Sequence, residues 1–157
     1  PKSEVLASHP MDQAQILAIS SDNAGFDLKE VLKAHFAGRV QWIDLGTTSK
    51  DSVNYAEFGK AMGRAITEGK APRGVVVCGS GIGISIAANR FKAVRAALCT
   101  NVTIVKAARQ HNDANVLALG ARIIGAQVAI ECLEAFLETP FEGGRHTARV
   151  ESLGQHG

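Results

Sequence analysis

The chain has 157 residues, of which 46% are apolar and 20% charged, with a formal net charge of +2. That length and balance describe one globular domain with a sizeable core and exclude a disordered or collagen-like chain. The weak charge, with one Trp and one Tyr, excludes a basic platform of stacked aromatics for nucleic acid, and no apolar run is long enough to cross a membrane.

Residues 1–12 show no apolar periodicity and are expected to be a disordered or added leader, with Met11 as the natural start and a single domain over 13–157. From Ile16 onward, short apolar runs alternate with amphipathic stretches. The runs predict strands over 16–20, 40–44, 74–78, 94–98 and 116–119. The stretches predict helices near 26–37, 55–68, 82–89, 102–109 and 126–137. Val75-Val76-Val77 is apolar without alternation, as in a strand covered on both faces. Strand and helix alternating five times predict a three-layer, doubly wound, Rossmann-like α/β fold around a five-stranded parallel sheet. Gly38, Gly69 and Pro72 fall in its breaks. Beyond Pro140 comes a C-terminal tail too polar to add core, which either frays or reaches onto a neighbouring subunit. Cys78, Cys99 and Cys132 form neither a disulfide framework nor a Cys-x-x-Cys pair, so a soluble, reduced, cytoplasmic protein is expected.

In an open α/β sheet, ligands bind at the carboxyl ends of strands. After the third strand comes Cys78-Gly79-Ser80-Gly81-Ile82-Gly83-Ile84-Ser85. Alternate glycines let successive N–H groups face one concavity at a helix start, a nest for a phosphate or an oxyanion; a plain tight turn is the other reading. The spacing is neither a dinucleotide fingerprint nor a Walker A loop. Cys78 is either a base or nucleophile beside that helix start or a small buried hydrophobe. With Ile at position 84 the loop lacks the arginine of a cysteine phosphatase.

After the first strand, Asp22 and Asn23 either cap the next helix or bind a polyhydroxylated ligand. His111, in a loop ahead of the fifth strand, is either a proton donor or an ordinary polar residue, and Arg122 lies just past that strand. Arg145 and Arg149 would share one face of a helical tail, as a phosphate clamp or as two solvated side chains. The His and Cys residues are scattered without ligand spacing, so no metal is expected. Cys99 and Cys132 are read as core.

Together, Ser21-Asp22-Asn23-Ala24-Gly25-Phe26, the glycine loop continuing through Ile86-Ala87-Ala88-Asn89, Arg109-Gln110-His111-Asn112-Asp113 and Glu142-Gly143-Gly144-Arg145-His146 resemble the type B ribose-5-phosphate isomerases. That family also holds allose- and galactose-phosphate isomerases. The likeness spans residues 15–153.

The resemblance implies Cys78 as the base moving a proton between C1 and C2 of the open-chain sugar. It implies the amides of Gly79, Ser80, Gly81, Ile82 and Gly83 as stabilisers of the enediolate. His111 would help open the furanose ring, with the Ser80 hydroxyl nearby in a catalytic position. Asp22 and Asn112 would contact sugar, and Arg122, Arg145 and Arg149 phosphate, some across a dimer interface. Asn23 is counted with the substrate-binding residues, although many members carry His there. A second departure is Asn54-Tyr55-Ala56, where the family usually reads Asp-Tyr-Pro.

The expected activity is therefore a metal-independent aldose–ketose isomerase, without cofactor, interconverting ribose 5-phosphate and ribulose 5-phosphate in the pentose phosphate pathway. The expected assembly is a homodimer, or a tetramer formed by two such dimers, with active sites shared between chains, in the cytoplasm and without nucleic-acid or membrane partners. Isomerisation of an allose, galactose or tetrose phosphate is the alternative. A non-catalytic sugar-phosphate-binding subunit is a second alternative, but such a binder would need neither Cys78 nor His111.

Overall fold

Val75, Val76 and Val77 are all fully buried, because the strand that carries them lies inside a sheet covered on both faces. The structure is a computed structural model that describes residues 14–155; the expected leader and its Met11 lie outside the described residues. In chain order the elements are β1 (Gln15–Ser21), α1 (Phe26–His35), β2 (Val40–Asp44), α2 (Tyr55–Thr67), β3 (Arg73–Cys78) and α3 (Ile82–Asn89). There follow β4 (Ala96–Leu98), α4 (Val102–Asn112), β5 (Val116–Gly120), α5 (Ala126–Glu138) and α6 (His146–Leu153). All strand pairs are parallel, in the order β2-β1-β3-β5-β4. The doubly wound α/β fold expected from the sequence is the fold observed.

Side chains leave the central strands alternately to two cores. Leu17, Ile19, Val75, Val77, Leu117 and Leu119 pack on one face with Leu28 and Leu32 of α1, Val105 of α4 and Leu133 and Phe136 of α5. Ala18, Val76, Cys78, Val116 and Ala118 pack on the other face with Met62 of α2 and Ile84 and Ala88 of α3. The chain leaves β1 to one side for β2 and crosses to the other for β3, so the sheet's switch point lies between β1 and β3. Connections diverge there and leave a crevice at the strands' carboxyl ends. Among the described residues no helix is long and apolar enough to cross a membrane.

Three expected boundaries move by two residues or more. β4 begins at residue 96, not 94, because Val94 folds back to bond Phe91 C=O (2.9 Å) and the Arg95 N–H donates to Asn115 Oδ1 (2.7 Å). α1 stops at His35, two residues short of the expected end, with Phe36 as its C-cap. α4 runs three residues further than expected, to Asn112. Its stop is Asp113 at φ 46°, a left-handed cap on a residue that tolerates it without being glycine. The tail, expected to fray or to reach outward, forms α6 and packs on α4.

Lys29 is 1% exposed and its ammonium is 2.7 Å from Asp44 Oδ2 and 2.9 Å from Glu30 Oε2. Burial pushes the Asp44 carboxyl up, but hydrogen bonds from Lys29, Lys33 and the Gly46 amide outweigh it and leave the group below its ordinary value. A carboxyl held low stabilises the fold above its unfolded value of about 3.9 and loses that contribution as pH falls through the folded value. Asp44→Asn should therefore lower the unfolding free energy at pH 7 by about 1.5–3 kcal/mol, since it removes a charge-assisted bond and leaves the buried ammonium with Glu30 as its one carboxylate. The gap to the parent in urea melts should shrink as pH drops below about 4. An equal gap at every pH would remove Asp44 as its source.

Candidate active site

The crevice at the switch point is a cleft of about 570 Å3 lined by Asp22 from the end of β1, Tyr55 from the start of α2, Cys78 through Ser80, Ile82 and Gly83 after β3, and Arg122 after β5. Gly81, at φ +80°, turns the chain from β3 into α3, and a side chain there would run into the Leu119 backbone. Its N–H donates to Cys78 Sγ at 3.2 Å, and the Ile82 N–H donates to Ser80 Oγ at 3.1 Å. Cys78 is 4% exposed, its sulfur held at the cleft floor. The first-turn amides of α3 have no partners further back in their own helix, so they are donors for negative charge in the cleft.

The loop after β5 is tied to this one by bonds from Ala121 N–H to Cys78 C=O and from Arg122 N–H to Gly79 C=O, both 2.9 Å. Those bonds set the exposed Arg122 over the glycine loop. Gly83 is glycine because the Tyr55 ring lies where its side chain would be. Tyr55 is thereby fixed as a wall of the cleft. The two departures that flank it, Asn54 and Ala56, are structural. Asn54 is the N-cap of α2, accepting the Ala56 N–H at 2.9 Å, a bond that a proline at position 56 has no hydrogen to make.

Asp22 does not cap α1, whose N-cap is Gly25 without a side-chain cap bond; it accepts the Gly25 N–H at 3.0 Å and lines the cleft. Asn23 does not line it: its Oδ1 accepts the Val53 N–H at 3.2 Å and ties down the loop leading to Tyr55. Cys99 and Cys132 are buried in the core as expected. Burial, then the neighbouring Cys132, pushes the Cys99 thiol up to about 12, and burial raises Cys132 as well.

The other expected residues form a second group elsewhere. His111 and Asn112 are in the last turn of α4, not in a loop. α4 leads into the start of β5, whereas Cys78 pairs with Gly120 at that strand's far end. Five residues of strand, about 16 Å, separate the two ends. Within one chain His111 is therefore at the amino ends of the strands, which corrects its grouping with the carboxyl-end loops. The tail meets it there, with the Glu142 N–H donating to Gln110 C=O at 3.1 Å. The His111 and His146 rings stack at 4.8 Å. Arg145 is the N-cap residue of α6, and Arg149 lies one turn on. Burial, the His111 ring and the charges of Arg145 and Arg149 hold His146 below the usual imidazole value, against a smaller pull from Glu142. Asn112 lines a separate hollow with Arg95 and Leu153.

Two features escaped the sequence. One is the packing of the Tyr55 ring on Gly83, a contact that is not local. The other is the convergence of His111, Glu142 and His146, for which the only signal was the four-residue spacing of Glu142 and His146.

The sequence profile of the Ribose/Galactose Isomerase family matches residues 17–153. Over 138 residues the chain is 41% identical to ribose-5-phosphate isomerase B of Escherichia coli (strain K12), covering 87% of this chain and 93% of the relative. It is 36% identical to D-erythrulose-4-phosphate isomerase of Pectobacterium atrosepticum over 143 residues, covering 89% of this chain and 93% of the relative. The structure of ribose-5-phosphate isomerase B from Clostridium thermocellum superposes with a TM-score of 0.87 at 42% identity, covering 89% of this chain and 95% of that one.

Proposed function

This chain belongs to the ribose/galactose isomerase family, and from that membership we propose that it interconverts ribose 5-phosphate and ribulose 5-phosphate. It is an aldose–ketose isomerase of sugar phosphates. The observation that carries the substrate reading is Cys78 on the floor of the switch-point cleft, beneath a glycine loop and beside Arg122.

The reaction moves one proton between adjacent carbons and shifts a carbonyl, so the sugar is both oxidised and reduced and no external redox partner is needed. The Cys78 thiolate takes the C2 proton of the open aldose. The electron pair left behind forms the enediolate, whose oxygen charge meets the first-turn amides of α3. The thiol returns its proton to C1, and the hydroxyl proton on O2 passes to O1 as the carbonyl forms at C2, which leaves the thiolate as it began. Arg122 holds phosphate, which orients the reacting carbons. A base and fixed donors suffice for this sequence, which is why we read it as metal-independent.

Ring opening needs a proton on the ring oxygen, and His111 is the group for it. Since His111 lies at the other end of its own sheet, it serves the site of a second chain, together with Arg145 and Arg149. His111→Ala should lower turnover of a furanose by about 10²-fold or more. A tetrose 4-phosphate cannot close a furanose ring, because its O4 is esterified, and its turnover should fall far less. Equal losses on both substrates would remove His111 from ring opening.

A tetrose phosphate is the second reading, favoured by the erythrulose-phosphate relative and by Asn23, which bonds the loop before Tyr55 instead of lining the cleft. A coupled assay of ribose 5-phosphate, allose 6-phosphate, galactose 6-phosphate and a tetrose 4-phosphate decides between them. The highest kcat/KM on ribose 5-phosphate supports the first reading; a higher value on the tetrose overturns it.

A further inference from the structure

We propose that His111, Glu142 and His146 form a binding site for zinc or a similar divalent transition metal, and that a metal held there stops turnover. The ligand atoms of the three side chains all lie within 4.8 Å of one another. Glu142 Oε1 is 3.7 Å from His146 Nε2 and 4.0 Å from His111 Nε2. A tetrahedral ion bonded at about 2.0–2.1 Å holds neighbouring ligand atoms roughly 3.3–3.4 Å apart. Glu142 reaches both nitrogens by a small rotation of its half-exposed side chain, and the half-exposed His111 ring must turn out of its stack on His146 for both imidazoles to meet one ion.

The three ligands come from two segments that are already joined. Glu142 is fixed to α4 by its bond to Gln110 C=O, and the turn into α6 is closed by His146 N–H to Gly143 C=O at 3.0 Å. Two imidazoles and one carboxylate are a donor set that suits zinc, and three protein ligands leave a fourth position for water. His146 is buried while His111 and Glu142 are exposed, so the site has a rigid back and an open mouth. Arg145 and Arg149 stand close to His146 and repel a cation. The site is therefore a reversible one and not a structural zinc that the fold requires.

The effect on turnover rests on the reading of His111 as the ring-opening acid: a metal on its Nε2 occupies the nitrogen that would carry the proton. Cobalt is titrated into the metal-free full-length protein without substrate and read by visible absorption, then displaced by zinc. One ion per chain, with ligand-field bands and no thiolate charge-transfer band, is expected. Glu142→Gln and His146→Gln should each weaken binding by more than about 100-fold, beyond what a lost outer-shell partner costs. Cys78→Ser should bind as the parent does. No stoichiometric binding, a thiolate band, or affinity unchanged in both variants overturns the site.

In the ribose 5-phosphate assay, zinc should inhibit the parent, and a chelator should restore it fully. Glu142→Gln should turn over normally and resist inhibition. Inhibition of Glu142→Gln equal to that of the parent, or full activity of the zinc-loaded parent, overturns the regulatory half. Binding is read without sugar, so it stands or falls independently of the substrate reading. Metal-free activity on the substrate panel tests that reading alone.

Discussion

Cys78→Ala should abolish isomerisation while the chain still binds sugar phosphate. The substitution removes one sulfur atom from a residue that is 4% exposed and packed with Ile84 and Ala88, so a loss of about 1 kcal/mol in stability covers the cavity. The Gly81 amide loses its acceptor, but the turn is also fixed by the bonds of Ala121 and Arg122 to the same loop. Phosphate contacts and the α3 amides are untouched, so affinity should change little. The base is absent, and kcat should fall by at least ~10²–10⁴-fold. Solvent deuterium should also stop entering the sugar at the reacting carbon, since exchange needs the same proton transfer. Turnover measured beside a binding titration and a thermal melt separates the three effects. A variant that turns over at the parental rate would move the base to another residue.

Mixing two inactive variants should restore activity. Cys78→Ala lacks the base, and Arg145→Ala/Arg149→Ala lacks the proposed phosphate clamp. The two groups lie at opposite ends of the sheet in one chain, separated by the length of β5. A two-fold dimer that sets each α6 over the partner's glycine loop completes two equal sites. A mixed dimer then contains one site with every group intact and one with neither. Its activity should reach about half that of a parental dimer. In the proposed clamp each guanidinium would make a charge-assisted bond worth on the order of 1.5–3 kcal/mol, so Arg149→Ala alone should raise KM by about 10–100-fold. No recovery in verified mixed dimers would mean that the arginines do not serve a partner's site.

The glycine loop could be read from the chain because its chemistry is local: Gly79, Gly81 and Gly83 alternate where a buried strand ends and an apolar helix starts. The same holds for Cys78 and Asp22, each placed at a strand end by a run of apolar residues. Tyr55 was visible only as a residue in an unusual tripeptide. Its role as a cleft wall comes from the flat face of Gly83, some thirty positions away. Asn23 illustrates the opposite case. A polar side chain after a strand suits a ligand or a backbone amide equally well, and here the Val53 amide takes it.

The sequence by itself determined the layered parallel sheet, since consecutive apolar runs such as 75–77 can be satisfied only by helices on both faces. It also determined the nest after β3 and the family to which the chain belongs. Tertiary structure alone decided that β5 lies inside β4, which brings Arg122 to the loop that follows β3. It decided where α4 stops, because the cap is Asp113 in a left-handed conformation stabilised by Arg109 and Arg95, with no glycine to announce it. It decided, too, that His111, Glu142 and His146 meet far from Cys78. Local patterning fixes which face of an element is buried. Strand order and the docking of α6 depend on contacts between residues far apart in the chain, and no short-range signal encodes them.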